Sequence, residues 1–137
     1  MLGHDFYQMM IVDGKLPKKY IEGVREMTTD KFSIVQQETD KAIVLYFHGE
    51  LDLEVAATLF RDQLEAVVSG TEKELILDLT ELSYIDSTGI GILVSILKIR
   101  DAKKAPLTVR NIPPGVLKLL EITGIAKFLL QGVKGGA

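Results

Sequence analysis

The sequence contains no cysteine, no basic stripe and no apolar run of membrane-spanning length. Without cysteine there is no thiol nucleophile and no cysteine metal ligand, a composition compatible with a reducing compartment. The longest apolar run covers residues 90–97, whereas a helix that crosses a bilayer needs about 20 residues. The N-terminus lacks the basic-then-apolar order of a signal peptide, so we expect a cytoplasmic protein without a membrane span.

Charge and size narrow the class of protein further. The chain has 16 basic and 19 acidic residues, a formal net charge of -3, and no basic stretch interleaved with aromatic residues. Direct nucleic-acid binding, which relies on clustered lysine and arginine, is therefore not expected. With 137 residues, of which 47% are hydrophobic, the chain has the size and balance of one domain that folds without a metal or a disulfide.

Alternating apolar patterns predict the order of strands and helices. The predicted strands cover residues 32–37, 42–47, 75–79, 107–109 and, near the end of the chain, 125–130. The predicted helices run from Asp52 to about Ser69, from the turn at residue 86 to about Ala102, and from Pro113 to Gly124. A hairpin joins the first two strands, and helices join the later ones, as they do in parallel sheets. We expect an α/β fold: a single domain with a mixed, mostly parallel β-sheet flanked by helices and an N-terminal hairpin strand.

Both ends of the chain differ from this domain, which is predicted to cover residues 31–131. Residues 1–30 form an N-terminal extension, in which Pro17 can open a short helix that ends at Met27. The apolar residues that share one face of this helix are Tyr20, Ile21, Val24 and Met27. The helix either packs on the domain or binds a partner, unless the segment is a cloning remnant. Residues 132–137 are predicted to be a flexible tail.

A polar turn separates a predicted strand from a predicted helix, and its sequence, SYIDSTGIGIL, occupies residues 83–93. The turn combines a carboxylate, hydroxyl groups and two glycines, and each glycine inside a helix costs about 1 kcal/mol relative to alanine. Three functions fit such a turn: catalysis, anion binding, or a modification that a partner reads.

The groups needed for catalysis or for a metal are missing around this turn. A nucleophile elbow has glycine two residues before its serine, where this chain has Ile85. Both histidines precede Ser87, whereas the triad histidine of such a fold follows the serine. Asp78 and Asp86 together would hold at most a weak hard cation, and the phosphate-binding Gly-x-x-x-x-Gly-Lys loop does not occur. We expect a protein that is not an enzyme and that has no cofactor and no metal site.

The turn also suits the start of a helix and a covalent phosphate. Asp86, Ser87 and Thr88 all favour the cap or the first turn of a helix. Gly89 and Gly91 are not needed for a cap, so they indicate close packing or room for an approaching partner. Free N–H groups at a helix start favour an anion, so a phosphate with a charge of about -1.5 to -2 would be tolerated on the serine. Such a phosphate would remove a dry contact without changing the fold.

These motifs resemble the STAS domain of bacterial anti-sigma factor antagonists over about residues 31–131. The matching parts are Asp-Leu-Thr at 78–80, Asp-Ser-Thr-Gly at 86–89, Leu-Glu-Ile-Thr-Gly at 120–124 and Gly-Glu-Leu-Asp at 49–52. The resemblance implies a mixed sheet flanked by helices and a partner-switching role. It implies that an anti-sigma factor that is itself a serine kinase phosphorylates Ser87. The unphosphorylated form would bind this kinase and free the sigma factor, and a serine phosphatase would reset the switch.

The resemblance also implies which residues meet the partner. Ser87 is the implied phosphorylation site, and Thr88 is a less favoured acceptor whose hydroxyl is expected to cap the helix. Asp86 would shape the turn or contact the kinase, and the glycines would give backbone clearance. The implied partner-binding residues are Asp86, Thr88, Gly89 and Gly91 in the turn, and Gly49, Glu50, Leu51 and Asp52 beside it.

The chain departs from the family pattern at both ends. Residues 1–30 are extra, and little room follows Leu130 for the usual final helix, so the N-terminal helix is expected to cover the surface left bare. The extension leaves a second role open, that of a scaffold or accessory subunit in a larger signalling or transport assembly without a phosphorylation switch. A third alternative is binding of an anion or nucleotide at the helix start. The sequence does not indicate the oligomeric state.

Overall fold

A computed structural model of the chain describes residues 24–135. Its strands are β1 (Val24–Thr28), β2 (Phe32–Glu38), β3 (Ala42–Leu51), β4 (Glu74–Ile85) and β5 (Leu107–Arg110). Its helices are α1, which joins the stretches Leu53–Val55, Ala56–Leu64 and Glu65–Gly70, then α2 (Ser87–Lys103), α3 (Pro114–Ile122) and α4 (Ala126–Gln131). The middle stretch of α1 is π-helical. Within residues 24–135, no helix is long and apolar enough to cross a membrane.

The strands form one sheet in the order β1-β2-β3-β4-β5. Strand β2 pairs antiparallel with β1 and β3, whereas β3 with β4 and β4 with β5 are parallel. Among the described strands only β2 runs against the others, which confirms the expected mixed, mostly parallel sheet and its hairpin. Because parallel neighbours end at the same edge, the last residues of β3 and β4, Leu51 and Ile85, are paired.

The core lies between the sheet and its helices. Alternate residues of β3, Ile43, Leu45 and Phe47, are buried in one cluster with Leu59 of α1 and with residues of α2. The ring of Phe47 meets the ring of Phe32 edge-on, with 5.5 Å between the centroids. Each buried side chain of this kind stabilises the fold by about 1.5–3 kcal/mol. The apolar residues that alternate along the strands and those that share one face of each helix therefore pack into the same core.

The helix predicted from Pro17 to Met27 is wrong over its last four residues. Val24–Thr28 is strand β1, and Met27 pairs with Ile34 of β2. The free edge of the β2–β3 hairpin offers unpaired N–H and C=O groups, and pairing with it outweighs the local helical spacing. Residues 1–23, which include Pro17, lie outside the described residues, so the proposed cover by an N-terminal helix stays a prediction.

The last short strand predicted at residues 125–130 is also wrong, because this segment is helix α4. Gly124, at φ +82°, ends α3. Ala126 and Leu129 are then buried three residues apart, on one helical face. Beyond α4, Val133 forms an antiparallel bridge with Leu107 through hydrogen bonds of 2.8 and 3.0 Å. The segment predicted to be a flexible tail therefore makes an ordered contact at Val133.

A buried arginine ties the helices to the loops between strands. Arg100 of α2 is fully buried, which is rare for arginine unless its charge is compensated. Its guanidinium donates to the carbonyl oxygens of Val68 (2.9 Å), Thr71 (2.8 Å), Lys73 (2.6 Å) and Pro106 (3.0 Å). Burial lowers the pKa of Arg100. The side chain thus links α2 to the end of α1 and to the loops before β4 and β5.

Candidate functional site

The polar turn lies where β4 ends and α2 begins. Asp86 is the N-cap of α2, with an extended backbone, and its Oδ1 accepts a hydrogen bond of 2.8 Å from the Gly89 N–H. The carbonyl of Asp86 accepts the first helical bond, from Ile90, at 2.9 Å. Asp86 alone therefore caps the helix, and the capping role expected for the Thr88 hydroxyl is wrong.

Ser87 is the first residue of α2, and its side chain is exposed. Thr88, the next residue, is half-buried. Within residues 24–135 neither hydroxyl has a hydrogen-bond partner. The serine hydroxyl is consequently accessible and is not engaged in holding the turn together.

Gly89 is required by the packing of α2 against the end of β3. A Cβ at this position would clash with the carbonyl oxygen of Leu51 and would lie 2.8 Å from Cγ1 of Ile85. The same Leu51 carbonyl accepts a hydrogen bond of 3.3 Å from the Asp86 N–H. Of the two expected explanations for this glycine, close internal packing applies.

No comparable packing contact among the described residues explains why position 91 is a glycine. It is exposed, and a Cβ built on it would meet nothing within 4 Å. It follows Ser87 by four residues, so the two lie on the same face of the helix. Alanine would fit here and would favour the helix by about 1 kcal/mol, so packing among the described residues does not require this glycine. Room for an approaching partner stays a prediction.

The Gly-Glu-Leu-Asp motif at residues 49–52 lies beside the turn because β3 and β4 are parallel. Gly49 has φ +103°, and a Cβ there would clash with the carbonyl oxygen of Lys31. Leu51 is fully buried, so its side chain belongs to the core. Asp52 caps α1 by accepting from the N–H groups of Glu54 (3.1 Å) and Val55 (3.4 Å). Glu50 and Asp52, both half-buried, are the members of the motif whose side chains reach the surface.

Asp78 is buried and fully hydrogen-bonded. Its Oδ1 accepts from the N–H (3.0 Å) and hydroxyl (2.6 Å) of Thr80, and its Oδ2 accepts from Arg110 Nε and Asn111 Nδ2, both at 3.0 Å. Burial acts to raise the pKa of Asp78, but these hydrogen bonds outweigh it and hold the pKa below its ordinary value. The carboxylate therefore fixes β4 to β5 and is not directed at the turn. Within the described residues, no group of three acidic, histidine or cysteine side chains is placed to hold a metal.

Sequence reasoning did not single out Leu53 and Tyr84, two exposed apolar side chains beside the turn. Leu53 is 64% exposed, Tyr84 50% and Leu119 42%. Leu53 follows Asp52 directly, and Tyr84 is paired with Glu50. Leu119, on α3, lines a groove together with Tyr84. Tyr84 is part of the polar turn and Leu53 adjoins the Gly-Glu-Leu-Asp motif, so the sequence alone places both residues near the candidate site. Their exposure to solvent depends on the fold and could not be predicted from the sequence.

The described part of the chain thus places an exposed serine hydroxyl, an aspartate cap and two glycines at the start of α2. The chain belongs to the STAS domain family, whose model matches residues 33–134. The family membership and the fold class expected from the sequence are thereby confirmed.

Known relatives agree with this assignment. The chain is 31% identical over 103 residues to the anti-sigma-B factor antagonist of Listeria monocytogenes, covering 74% of this chain and 89% of the relative. It is similar in fold to an anti-sigma factor antagonist from Mycobacterium paratuberculosis, with a TM-score of 0.62, 24% identity and coverage of 73% and 84% of the two chains. It is also similar to the Bacillus cell fate determinant SpoIIAA in the phosphorylated form, with a TM-score of 0.55, 22% identity and coverage of 71% and 86%.

Proposed function

We propose that this protein is an anti-sigma factor antagonist that switches partners through phosphorylation of Ser87. The observation that carries the proposal is the exposed Ser87 hydroxyl, which has no hydrogen-bond partner among residues 24–135 and stands at the start of α2. The names of the relatives support the antagonist role, and one structurally similar protein is described in a phosphorylated form.

The unphosphorylated protein binds an anti-sigma factor that is a serine kinase, and this binding releases the sigma factor. The kinase transfers a phosphate to Ser87, and a serine phosphatase removes it. At a helix start the phosphate is stabilised by free N–H groups, although Asp86 repels it. The fold is retained, and the charge disrupts a dry protein–protein contact because burying an unpaired charge is costly. We place this cycle in the cytoplasm.

The proposal is tested by phosphate transfer from ATP to the full chain, followed by mass spectrometry. We expect one phosphate on Ser87 in the wild type, none in Ser87→Ala, and a phosphate still on Ser87 in Thr88→Ala, which tests the less favoured acceptor. Ser87→Asp should weaken kinase binding at least about tenfold while the protein stays folded, as expected for a charge at an interface centre. A wild type that acquires no phosphate at Ser87, with Ser87→Ala and Ser87→Asp binding alike, would sink the proposal.

A further inference from the structure

The sheet has a second face, which points away from the helix-side core, and part of this face is buried. Side chains alternate along a strand, so Val35 of β2 and Val44 of β3 point away from Ile34 and Leu45, which belong to the core cluster. Val35 is fully buried and Val44 is 7% exposed. Neither valine belongs to the core cluster, so both lie on a separate apolar surface.

The described helices do not account for this burial. The buried apolar residues described in α1, α2, α3 and α4 all belong to the core cluster on the other side of the sheet. Strands β4 and β5 place polar side chains on the second face, where Asp78 is paired with Tyr46 and with Arg110. An uncovered sheet face leaves its side chains in contact with water. The full burial of Val35 therefore indicates a cover that lies outside residues 24–135.

The chain before β1 has the length and the composition of such a cover. Strand β1 is an edge strand beside β2, and its first residue, Val24, is paired with Gln37, which is in turn paired with Val44. Neighbouring strands lie about 4.8 Å apart, so the chain enters β1 about 10 Å from Val44, and each earlier residue can extend its reach by about 3.3 Å. Within this segment, residues 6–12 read Phe-Tyr-Gln-Met-Met-Ile-Val. Residues 1–23 are therefore long enough and apolar enough to cover the valines.

We propose that residues 1–23 cover the second sheet face over β2 and β3, through the apolar side chains of residues 6–12. The contact removes apolar surface of the segment and of the sheet from water, which stabilises the fold. It makes the N-terminal extension a part of the folded domain rather than a free arm for a partner. The family model begins at residue 33, so this cover lies outside the matched domain. The inference does not depend on Ser87, and the two proposals can fail separately.

Because the sequence contains no cysteine, an introduced thiol can report on each face. Val44→Cys places a thiol on the second face. The matched control Val109→Cys places one in the core cluster, at a residue that is 6% exposed against 7% for Val44. Each substitution is made in the full chain and in a full chain whose apolar residues between 6 and 12 are all replaced by serine. The measurement is the rate of thiol modification by an aromatic disulfide reagent, after circular dichroism shows that each protein is folded.

We expect the serine segment to raise the modification rate of Val44→Cys at least about tenfold, because its protection then needs no more than a local opening. The rate for Val109→Cys should stay within about twofold, because the helices still cover that face. An unchanged rate for Val44→Cys in a folded serine variant would overturn the inference. A rate for Val44→Cys in the unaltered segment that falls as protein concentration rises would make a second copy the cover, and would also overturn it.

A second measurement uses the unaltered chain and decides the question if the serine variant does not fold. We expect nuclear Overhauser effects between the methyl groups of Val35 and Val44 and protons of residues 1–23. A sample mixed from two differently labelled chains separates contacts within one chain from contacts between copies. The absence of such contacts within one chain would overturn the inference, whereas phosphate transfer to Ser87 would remain a separate result.

Discussion

Gly89 and Gly91 stand two residues apart at the start of α2, in different surroundings. Gly89 is buried against the carbonyl oxygen of Leu51, which is backbone and has no means of moving aside. Gly91 faces open space. Each glycine inside a helix costs about 1 kcal/mol relative to alanine, and packing against β3 accounts for that cost at Gly89.

Alanine substitutions at the two glycines should change stability in opposite directions. Gly89→Ala should lower the free energy of unfolding by about 1–3 kcal/mol or more, because the new methyl group forces α2 away from β3. Gly91→Ala should raise it by up to about 1 kcal/mol, because alanine favours the helix. Urea unfolding of both variants beside wild type measures the difference. Equal losses for the two variants would contradict the assigned surroundings.

At the scale of elements, polar side chains satisfy the backbone groups at the ends of helices, some from adjacent positions and one from a distant position. Asp52 and Asp86 cap α1 and α2 from positions directly before them, which sequence reasoning can anticipate. Arg100, in the last turn of α2, donates hydrogen bonds to the end of α1 and to two loops. Its acceptors are backbone carbonyls, which leave no residue pattern, so its role is visible only in the fold.

Replacing Arg100 should destabilise the protein strongly. Arg100→Met would leave buried carbonyl oxygens without donors, and we expect the free energy of unfolding to fall by at least about 3 kcal/mol. Arg100→Lys should recover part of this loss, but not all, because an ammonium group lacks the planar fork that reaches several carbonyls. Thermal and urea unfolding provide the measurement, with exposed Lys98→Met on the same helix as the control. A loss no larger than that of the control would rule out the linking role.

The elements that the sequence predicted well are those with local signals. The β2–β3 hairpin, the capped start of α2 and the stop of α3 at Gly124 each depend on neighbouring residues. Strand β1 and helix α4 were mispredicted because their state is decided by tertiary contacts: the free edge of β2 and the buried pair Ala126 and Leu129. In the same way, Asp86 and Ser87 could be located from the sequence. The packing of Gly89 and the groove beside Tyr84 could not, since both need two distant segments to meet.

At the scale of the whole molecule, the buried Asp78 network links stability to acidity. Its pKa lies below the ordinary value of 3.8 in the folded protein, so the unfolded chain takes up this proton more readily. The contribution of the network is therefore complete above the unfolded pKa and is lost as pH falls through the folded pKa. The network joins Asp78 of β4 to Arg110 and Asn111 at the end of β5, so its loss weakens the contact between these two strands.

Asp78→Asn should reduce the acid sensitivity of the protein. At neutral pH the variant should be less stable by about 1–3 kcal/mol, because the amide cannot accept all the hydrogen bonds of the carboxylate. Between about pH 5 and about pH 2 its free energy of unfolding should fall less than that of wild type. Urea unfolding across this range, with Asp40→Asn in the exposed hairpin loop as control, makes the comparison. Parallel pH curves for wild type and Asp78→Asn would refute the linkage.

The direction of the strands has an electrostatic consequence. Strands β3, β4 and β5 are parallel, and α1, α2 and α3 begin after their carboxyl ends. Each helix start carries the positive end of a macrodipole, equivalent to about half an elementary charge. Three such ends gather along the edge that holds Ser87, on a chain whose net charge is -3. The carboxylates of Asp52 and Asp86 cap two of these three helix starts, so positive helix ends and acidic side chains meet along this edge.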